Sequence, residues 1–335
     1  MAGKSVTSVD VARHAGVSQS AVSRYFTPGA SLSAKMAEKI RKAAEELDYR
    51  PNVLARSLIT GKSRIIGLVV YYLENQFYPE VIEKLSAALQ ESGYHVLLFM
   101  SSRTVGDVKP VMQQILDYRV DGIIMVSVSM SSVLAQRCAD LSIPVMLFNR
   151  DQPDLDLMAV TTDNLRGGSL AAQALLASRP KRIAHLAGYE GASTQIERER
   201  GFLEELKAGG QELHSRAVGN FHYAEAVEAT HELFDRPDPP DALFVTDDHM
   251  AFAAMDVIRS EFRLRIPEDV SVVGFDDVPQ AAWPSFNLTT VRQHVNLMVS
   301  KAVSELITAI EEPETPLPIK LRIPPTLVRR GTTRD

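Results

Sequence analysis

The sequence has one cysteine, Cys138, in 335 residues, which excludes an internal disulfide and any cage of several thiolates around a metal. Cys138 falls in a helical stretch at 131–141, so a buried structural thiol is expected. The eight histidines fall at no H-x-x-x-H or comparable ligand spacing, and no metal or other cofactor is expected. No apolar run approaches the ~20 residues of a membrane span, and the first residues lack the apolar core of a signal peptide. A cytoplasmic chain with no membrane partner follows as an expectation. An overall excess of positive charge is also missing, since 36 Lys+Arg stand against 42 Asp+Glu for a net −6. Taken whole, that balance does not suggest nucleic acid.

What is present is uneven. Residues 1–62 carry ten basic and five acidic side chains, a balance of +5 that leaves −11 on the rest of the chain. A basic head on an acidic body predicts salt-sensitive nucleic-acid binding confined to the head. Within the head, residues 7–26 read as two short helices hinged at Gly16. Thr7 is placed to cap the first helix, with Asp10 three residues on, and Gly16 supplies the turn. Ser18 caps the second, with Val17 and Val22 spaced as a hydrophobic staple. That helix buries Ala21 and Val22 and leaves Gln19, Ser20, Ser23 and Arg24 in solvent. Gln and Arg make bidentate bonds to adenine and guanine edges, and Ser bonds bases or phosphates, so this face suits a major groove. A helical hairpin with a merely polar face is the plainer alternative. A third helix from Ser33, with Met36, Ile40, Ala43, Ala44 and Leu47 at helical spacing, closes a small core. Asn52 after Pro51 caps a short helix ending near Gly61, too short to persist alone.

From about residue 63 the pattern changes to short apolar strands alternating with amphipathic helices. Strands are expected at 65–71, 95–100, 122–126, 145–148, 159–162, 182–186, 217–221, 242–245 and 270–274. Helices are expected at 77–93, 108–118, 165–179, 195–209, 223–234 and 249–261. Such alternation means parallel sheets covered on both faces, and its length is more than one sheet needs, so two doubly wound α/β subdomains are expected. Ligands of these sheets bind beyond the strands' carboxyl ends. The polar or aromatic residues falling there are Phe77, Tyr78, Ser127, Asn149 and Arg150 in the first half, and Arg198, Asp247, Asp248, Asp276 and Asp277 in the second.

Val9-Asp10-Val11-Ala12, Ala15-Gly16-Val17-Ser18, Val22-Ser23-Arg24, Tyr49-Arg50-Pro51-Asn52, Ala55-Arg56-Ser57-Leu58 and Ile66-Gly67-Leu68-Val69-Val70 together resemble the lactose/galactose-repressor (LacI/GalR) family of bacterial transcription regulators, and the similarity continues nearly to the C-terminus. The resemblance implies a helix-turn-helix head over 1–50 and a hinge helix and linker over 51–62. It implies an effector-binding body of periplasmic-binding-protein-like (type I) architecture, with one subdomain from 63–162 plus 293–323 and the other from 163–292 plus 324–335. It further implies that the second helix lies in the major groove. The hinge would enter the minor groove, with Leu58 as the wedge and Asn52, Ala55 and Arg56 on its groove-facing turn. Arg198-Glu199-Arg200-Gly201-Phe202 is similar to the family's Arg-x-x-Gly-aromatic element, whose first Arg contacts effector, with Arg200 secondary. Gly274-Phe275-Asp276-Asp277 is similar to its Gly-aromatic-Asp segment, giving Asp276 the effector hydroxyls. Asn149 stands where relatives often have an Asp, and Gln293 at the return crossover.

An Arg and an Asp among neutral amides and hydroxyls suit a polyol, with Phe77, Tyr78 or Trp283 available to stack on a pyranose. The reading is a homodimeric, ligand-responsive repressor of a carbohydrate operon, partnered by pseudo-palindromic operator DNA and a small sugar-like effector, and at work on the nucleoid. A tetramer is not expected, because no heptad tail follows Arg334. A sugar receptor in which residues 1–60 are incidental is the alternative. A glycosidase built on the tandem carboxylates is the enzymatic one, and no nucleophile, phosphate loop or metal set accompanies them. Val53 and Ala21 depart from frequent family residues and leave base preference open.

Overall fold

The structure, a computed structural model, describes residues 6–26, 30–50, 62–100, 109–314 and 319–334, with backbone alone over 109–111. It divides into two compact units, 1–64 and 65–335.

The first unit is a three-helix head: α1 (Ser8–Ala15), α2 (Gln19–Tyr25) and α3 (Ala34–Glu46). Thr7 and Asp10 form a reciprocal capping box, with Thr7 N–H donating to the Asp10 carboxylate at 3.0 Å and Asp10 N–H to Thr7 Oγ1 at 3.4 Å. Gly16 turns the chain at φ 65°, a left-handed conformation open to glycine at no steric cost. Ser18 caps α2 by accepting from Ala21 N–H at 3.2 Å. Val11, Ala12, Ala21, Val22, Ile40, Ala43 and Ala44 form the core, flanked by half-buried Val17, Leu47 and Tyr49. Two expectations need correction. Met36 lies on the exposed side of α3 and outside this core, because the stripe through Ile40, Ala43 and Ala44 runs along the other edge of the helix. Ser33 stands at the N-cap of α3 with extended backbone, but its hydroxyl makes no capping bond.

The second unit contains two six-stranded sheets. The first runs in the order β11-β5-β4-β3-β1-β2, from β1 (Ile65–Val70), β2 (His95–Met100), β3 (Gly122–Val126), β4 (Val145–Phe148), β5 (Met158–Thr162) and β11 (Lys320–Ile323), with every neighbouring pair parallel. The second runs β12-β10-β9-β8-β6-β7, from β6 (Ile183–Ala187), β7 (Ser215–Val218), β8 (Ala242–Val245), β9 (Ser271–Asp276), β10 (Thr289–Arg292) and β12 (Thr326–Val328). It is parallel except for β12, which runs antiparallel to β10. Helices α4 (Phe77–Glu91), α5 (Lys109–Asp117), α6 (Ser132–Asp140) and α11 (Val295–Glu311) accompany the first sheet. The second is accompanied by α7 (Asn164–Leu176), α8 (Ser193–Ala208), α9 (Tyr223–Phe234) and α10 (Asp248–Ser260). The chain passes between the two lobes after β5, after β10 and between β11 and β12.

Both sheets are doubly wound, as the alternation of strands and helices predicts. The seventh expected strand is displaced: it covers Ser215–Val218 and not 217–221, because Asn220 and Phe221 take left-handed backbone at φ 51° and 68° and cannot extend the ladder. Cys138 is buried against the first sheet, where burial pushes its thiol up to about 11. Of the expected hinge and linker over 51–62, residues 51–61, with Asn52, Ala55, Arg56 and Leu58, fall outside the described residues. Among the described residues no helix is long and apolar enough to cross a membrane.

Candidate functional site

In the head, α2 does what its sequence asks. Ala21 and Val22 turn inward, while Ser18, Gln19, Ser20, Ser23 and Arg24 are exposed, as is Thr7 at the start of α1. Gln19 Nε2 donates to Ser8 Oγ at 3.2 Å, and the Ser18 and Ser20 hydroxyls are 2.9 Å apart. These local bonds hold the start of α2 while leaving its outer face available to a groove.

In the second unit the order of each sheet reverses once, between β1 and β3 in the first lobe and between β6 and β8 in the second. Such switch points open a crevice at the strands' carboxyl ends. There the structure places Asn75 and Ser127 on one side, Thr246 and Asp247 on the other, and one bond joins them: Asn75 Nδ2 donates to Asp247 Oδ2 at 2.9 Å. Tyr72 adds a second crossing by donating to the Phe221 carbonyl at 2.7 Å, with its ring 5.3 Å from those of Tyr78 and His222. Positive φ recurs here, as it does at turns elsewhere among the described residues. Ser127, Asn149, Phe221 and Asp276, each at or just past the end of a strand, have φ of 56°, 71°, 68° and 122°, conformations that persist in such residues only where surrounding structure enforces them.

Arg198 lies at the centre, 2% exposed. Its Nε donates to Asn164 Oδ1 at 2.9 Å and one terminal nitrogen to the Thr246 carbonyl at 2.7 Å. Its guanidinium carbon is 3.6 Å from the centre of the Phe275 ring, and the same terminal nitrogen lies 3.7 Å from Asp276. Two glycines explain how it arrives there. A Cβ on Gly168 of α7 would stand 1.9 Å from the Arg198 carbonyl oxygen, and one on Gly201 of α8 would stand 1.9 Å from that of Leu165. Only two glycines let these helices touch backbone to backbone, and that contact brings the Arg198 turn against Asn164.

Asp276 accepts from Gln293 Nε2 at 2.7 Å, and Gln293 Oε1 accepts from Thr162 Oγ1 at 2.5 Å. This relay runs from the second lobe through the crossover into the first. Asp247 caps α10, accepting from Met250 N–H at 2.8 Å through the carboxylate oxygen that Asn75 does not use. Burial, with the Asp276 charge nearby, pushes the Asp247 carboxyl up to about 8. Burial also raises Asp276, to about 6, against the pull of Arg198. Asp248 is pushed well above the carboxylate range, first by burial, while accepting from Thr290 Oγ1 and Val278 N–H at 2.6 and 3.0 Å. Asp248 therefore ties α10 to β10 and is a structural group.

Of the residues expected to touch effector, the structure brings Tyr78, Ser127, Asn149, Arg198, Asp247, Asp276 and Gln293 to this crevice. Asn149 Nδ2 donates to Ser127 Oγ at 2.8 Å, which leaves the buried Asn149 Oδ1 with no partner among the described residues. Phe77 is core: 2% exposed, it packs with Val81 and Leu85. Trp283 is not gathered in, being 51% exposed beyond the 3-10 turn Pro279–Ala282. Arg200 faces solvent beside Glu204, and Asp277 is paired with Arg292 and Arg330 at 2.5 and 2.6 Å. Sequence reasoning missed Asn75, Tyr72, Asn164 and Thr246. Tyr72 and Thr246 each lie just past a strand, which is the available signal.

Residues 8–52 match the family model described as bacterial regulatory proteins, lacI family, and residues 172–333 match the periplasmic binding protein-like domain. The HTH-type transcriptional regulator CelR of Thermobifida fusca is 32% identical over 320 residues, covering 93% of each chain. The chain belongs to the lacI family of bacterial regulatory proteins. Among lacI-family structures, the lac repressor dimer bound to operator and the anti-inducer ONPF superposes with a TM-score of 0.88 at 27% identity, covering 98% of this chain and 99% of that one. The CelR–cellobiose complex superposes with a TM-score of 0.73 at 30% identity, with the same coverage. Both relatives are named as regulators of transcription.

Proposed function

We propose that this lacI-family chain is a sugar-responsive repressor without catalytic activity. Two copies present their α2 helices to the half-sites of a pseudo-palindromic operator in the cytoplasm, and an effector in the interlobe crevice sets the operator affinity. The observation that carries this reading is the buried Arg198–Asp276 pair, linked through Gln293 to Thr162 of the other lobe. A ligand engaging that pair acts on both lobes at once, and so on their relative angle. Residues 51–62, whose sequence reads as a hinge, lie between head and body. In the proposal Leu58 wedges a base step and Asn52, Ala55 and Arg56 line the groove when two hinges pair, and Gln19, Ser20, Ser23 and Arg24 read the major groove. The related structures hold the matching partners: lac repressor its operator and ONPF, CelR its cellobiose. Coupling of this kind is typically worth ~1–3 kcal/mol, roughly 5–150-fold in affinity.

The test pairs gel-shift with calorimetry. Arg24→Ala and Leu58→Ala lose operator binding and keep effector affinity, whereas Arg198→Ala and Asp276→Ala do the reverse. If both pairs fail identically in both assays, the division of labour is wrong. A sugar receptor with an incidental head shows no operator binding in wild type, and an enzyme returns its sugar chemically changed.

A further inference from the structure

A second arginine in the crevice has a different standing from Arg198. Arg150 follows Asn149 at the end of β4 and is 6% exposed. Its Nε and one terminal nitrogen are fully buried and have no hydrogen-bond partner, and no carboxylate among the described residues lies within 4.0 Å. Its guanidinium carbon sits 5.5 Å from the centre of the Phe221 ring, a face that offsets only part of the lost hydration. Arg150 shares the crevice, since its charge acts on Tyr72, Tyr78, Arg198 and Asp247. The adjacent Asn149 Oδ1 is the orphan acceptor described above.

Buried arginines are ordinarily paired. Arg198 meets that rule within the protein, through Asn164, Thr246 and Asp276. Arg150 has no such set. Resting on the proposed function, we infer that the effector is a sugar acid, whose single carboxylate is bound by the Arg150 guanidinium and whose neighbouring hydroxyl donates to Asn149 Oδ1. A carboxylate oxygen accepts from one of these unused N–H groups in a charge-assisted bond, which a neutral hydroxyl oxygen makes more weakly. The charge count favours a monoanion. Asp276 faces Arg198, and Asp247 is held by Asn75 and the Met250 N–H, so neither crevice carboxyl pairs with Arg150. A phosphate dianion would exceed the single charge of Arg150 and face Asp276 with no further cation to hold it.

The test is calorimetry on the full-length wild-type chain with D-gluconate, D-glucuronate and D-galacturonate, against D-glucose, D-galactose, methyl D-galacturonate and D-glucose 6-phosphate. One of the monocarboxylates binds, and its neutral counterpart binds at least about 10-fold more weakly, as expected for losing a charge-assisted hydrogen bond to a buried guanidinium. R150Q removes that preference, while R150K keeps the charge and retains part of it. Melting temperature without ligand reports whether each variant is folded, and the wild-type comparison stands without them. A neutral sugar binding as tightly as its acid, glucose 6-phosphate binding best, or no monocarboxylate binding at all overturns the inference. A gel-shift separates this from the wider proposal. If a neutral sugar alters operator affinity, the repressor reading holds and the acid assignment fails, whereas if no sugar of either kind does so, both fail.

Discussion

The Asn75 side-chain amide donates to Asp247 at 2.9 Å, and the two residues stand at the switch points of opposite lobes. Because Asp247 also caps α10, the position of that helix is coupled to the loop after β1. A ligand in the crevice must either add to this bond or replace it.

The Asp247 carboxyl gives stability a pH dependence of definite sign. Its value is raised from an ordinary 3.8 to about 8 in the fold, so the native state binds more protons than the unfolded chain between those limits. Its contribution is therefore fully present below about pH 4 and is lost as pH rises through about 8. Asp247→Asn keeps a cap acceptor and cannot ionise. Melting of the two proteins from pH 5.5 to 8.5 should show the variant gaining on wild type as pH rises. A constant difference, or a variant that loses ground to wild type as pH rises, would contradict the buried, protonated assignment.

Removing Gly201 should damage both folding and binding. In Gly201→Ala the new methyl meets the Leu165 carbonyl oxygen at 1.9 Å, so α7 and α8 must separate. Overpacking of this kind costs about 1–3 kcal/mol, and denaturant titration would measure it. Arg198, one turn away, shifts with the helix, so effector affinity falls too. A fully stable Gly201→Ala would show that the two helices do not need this contact.

Asp276→Asn keeps a Gln293 partner but deprives Arg198 of its counter-charge. The variant should stay folded and hold the operator, with effector affinity lowered at least 10-fold, about 1.4 kcal/mol. Fluorescence titration with whichever sugar shifts the melting of wild type would establish this. Undiminished affinity would remove Asp276 from the site.

The head is separable by Thr7→Ala. Loss of the reciprocal cap costs ~1 kcal/mol of head stability. The body has its own core, so its melting should not move while operator affinity declines. A shift of the body's transition would mean that the two units do not melt independently.

Much of this was legible in the chain. The spacing of Ala21 and Val22 placed the polar face of α2, and the strand–helix alternation gave both sheets. Arg198 and Asp276 stand in motifs whose physical basis is visible only in the fold: Gly201 permits a helix contact, and Asp276 ends its strand at positive φ. What escaped were residues defined by long-range pairing. The strands β10, β11 and β12 are three or four residues each and carry no periodicity of their own. Asn75 acts on a partner 172 positions away. The stacking role expected of Trp283 rests only on the general affinity of aromatics for sugars, and its place beyond the Pro279–Ala282 turn leaves it in solvent.

The central claim is that crevice and head are coupled. It is tested most directly by anisotropy titration of a duplex selected in vitro by the full-length protein, with and without a saturating sugar identified by thermal shift. The account predicts a change in operator Kd of at least about 5-fold in wild type and none in Asp276→Asn at the same sugar concentration. An identical Kd in wild type for every sugar that binds would contradict it.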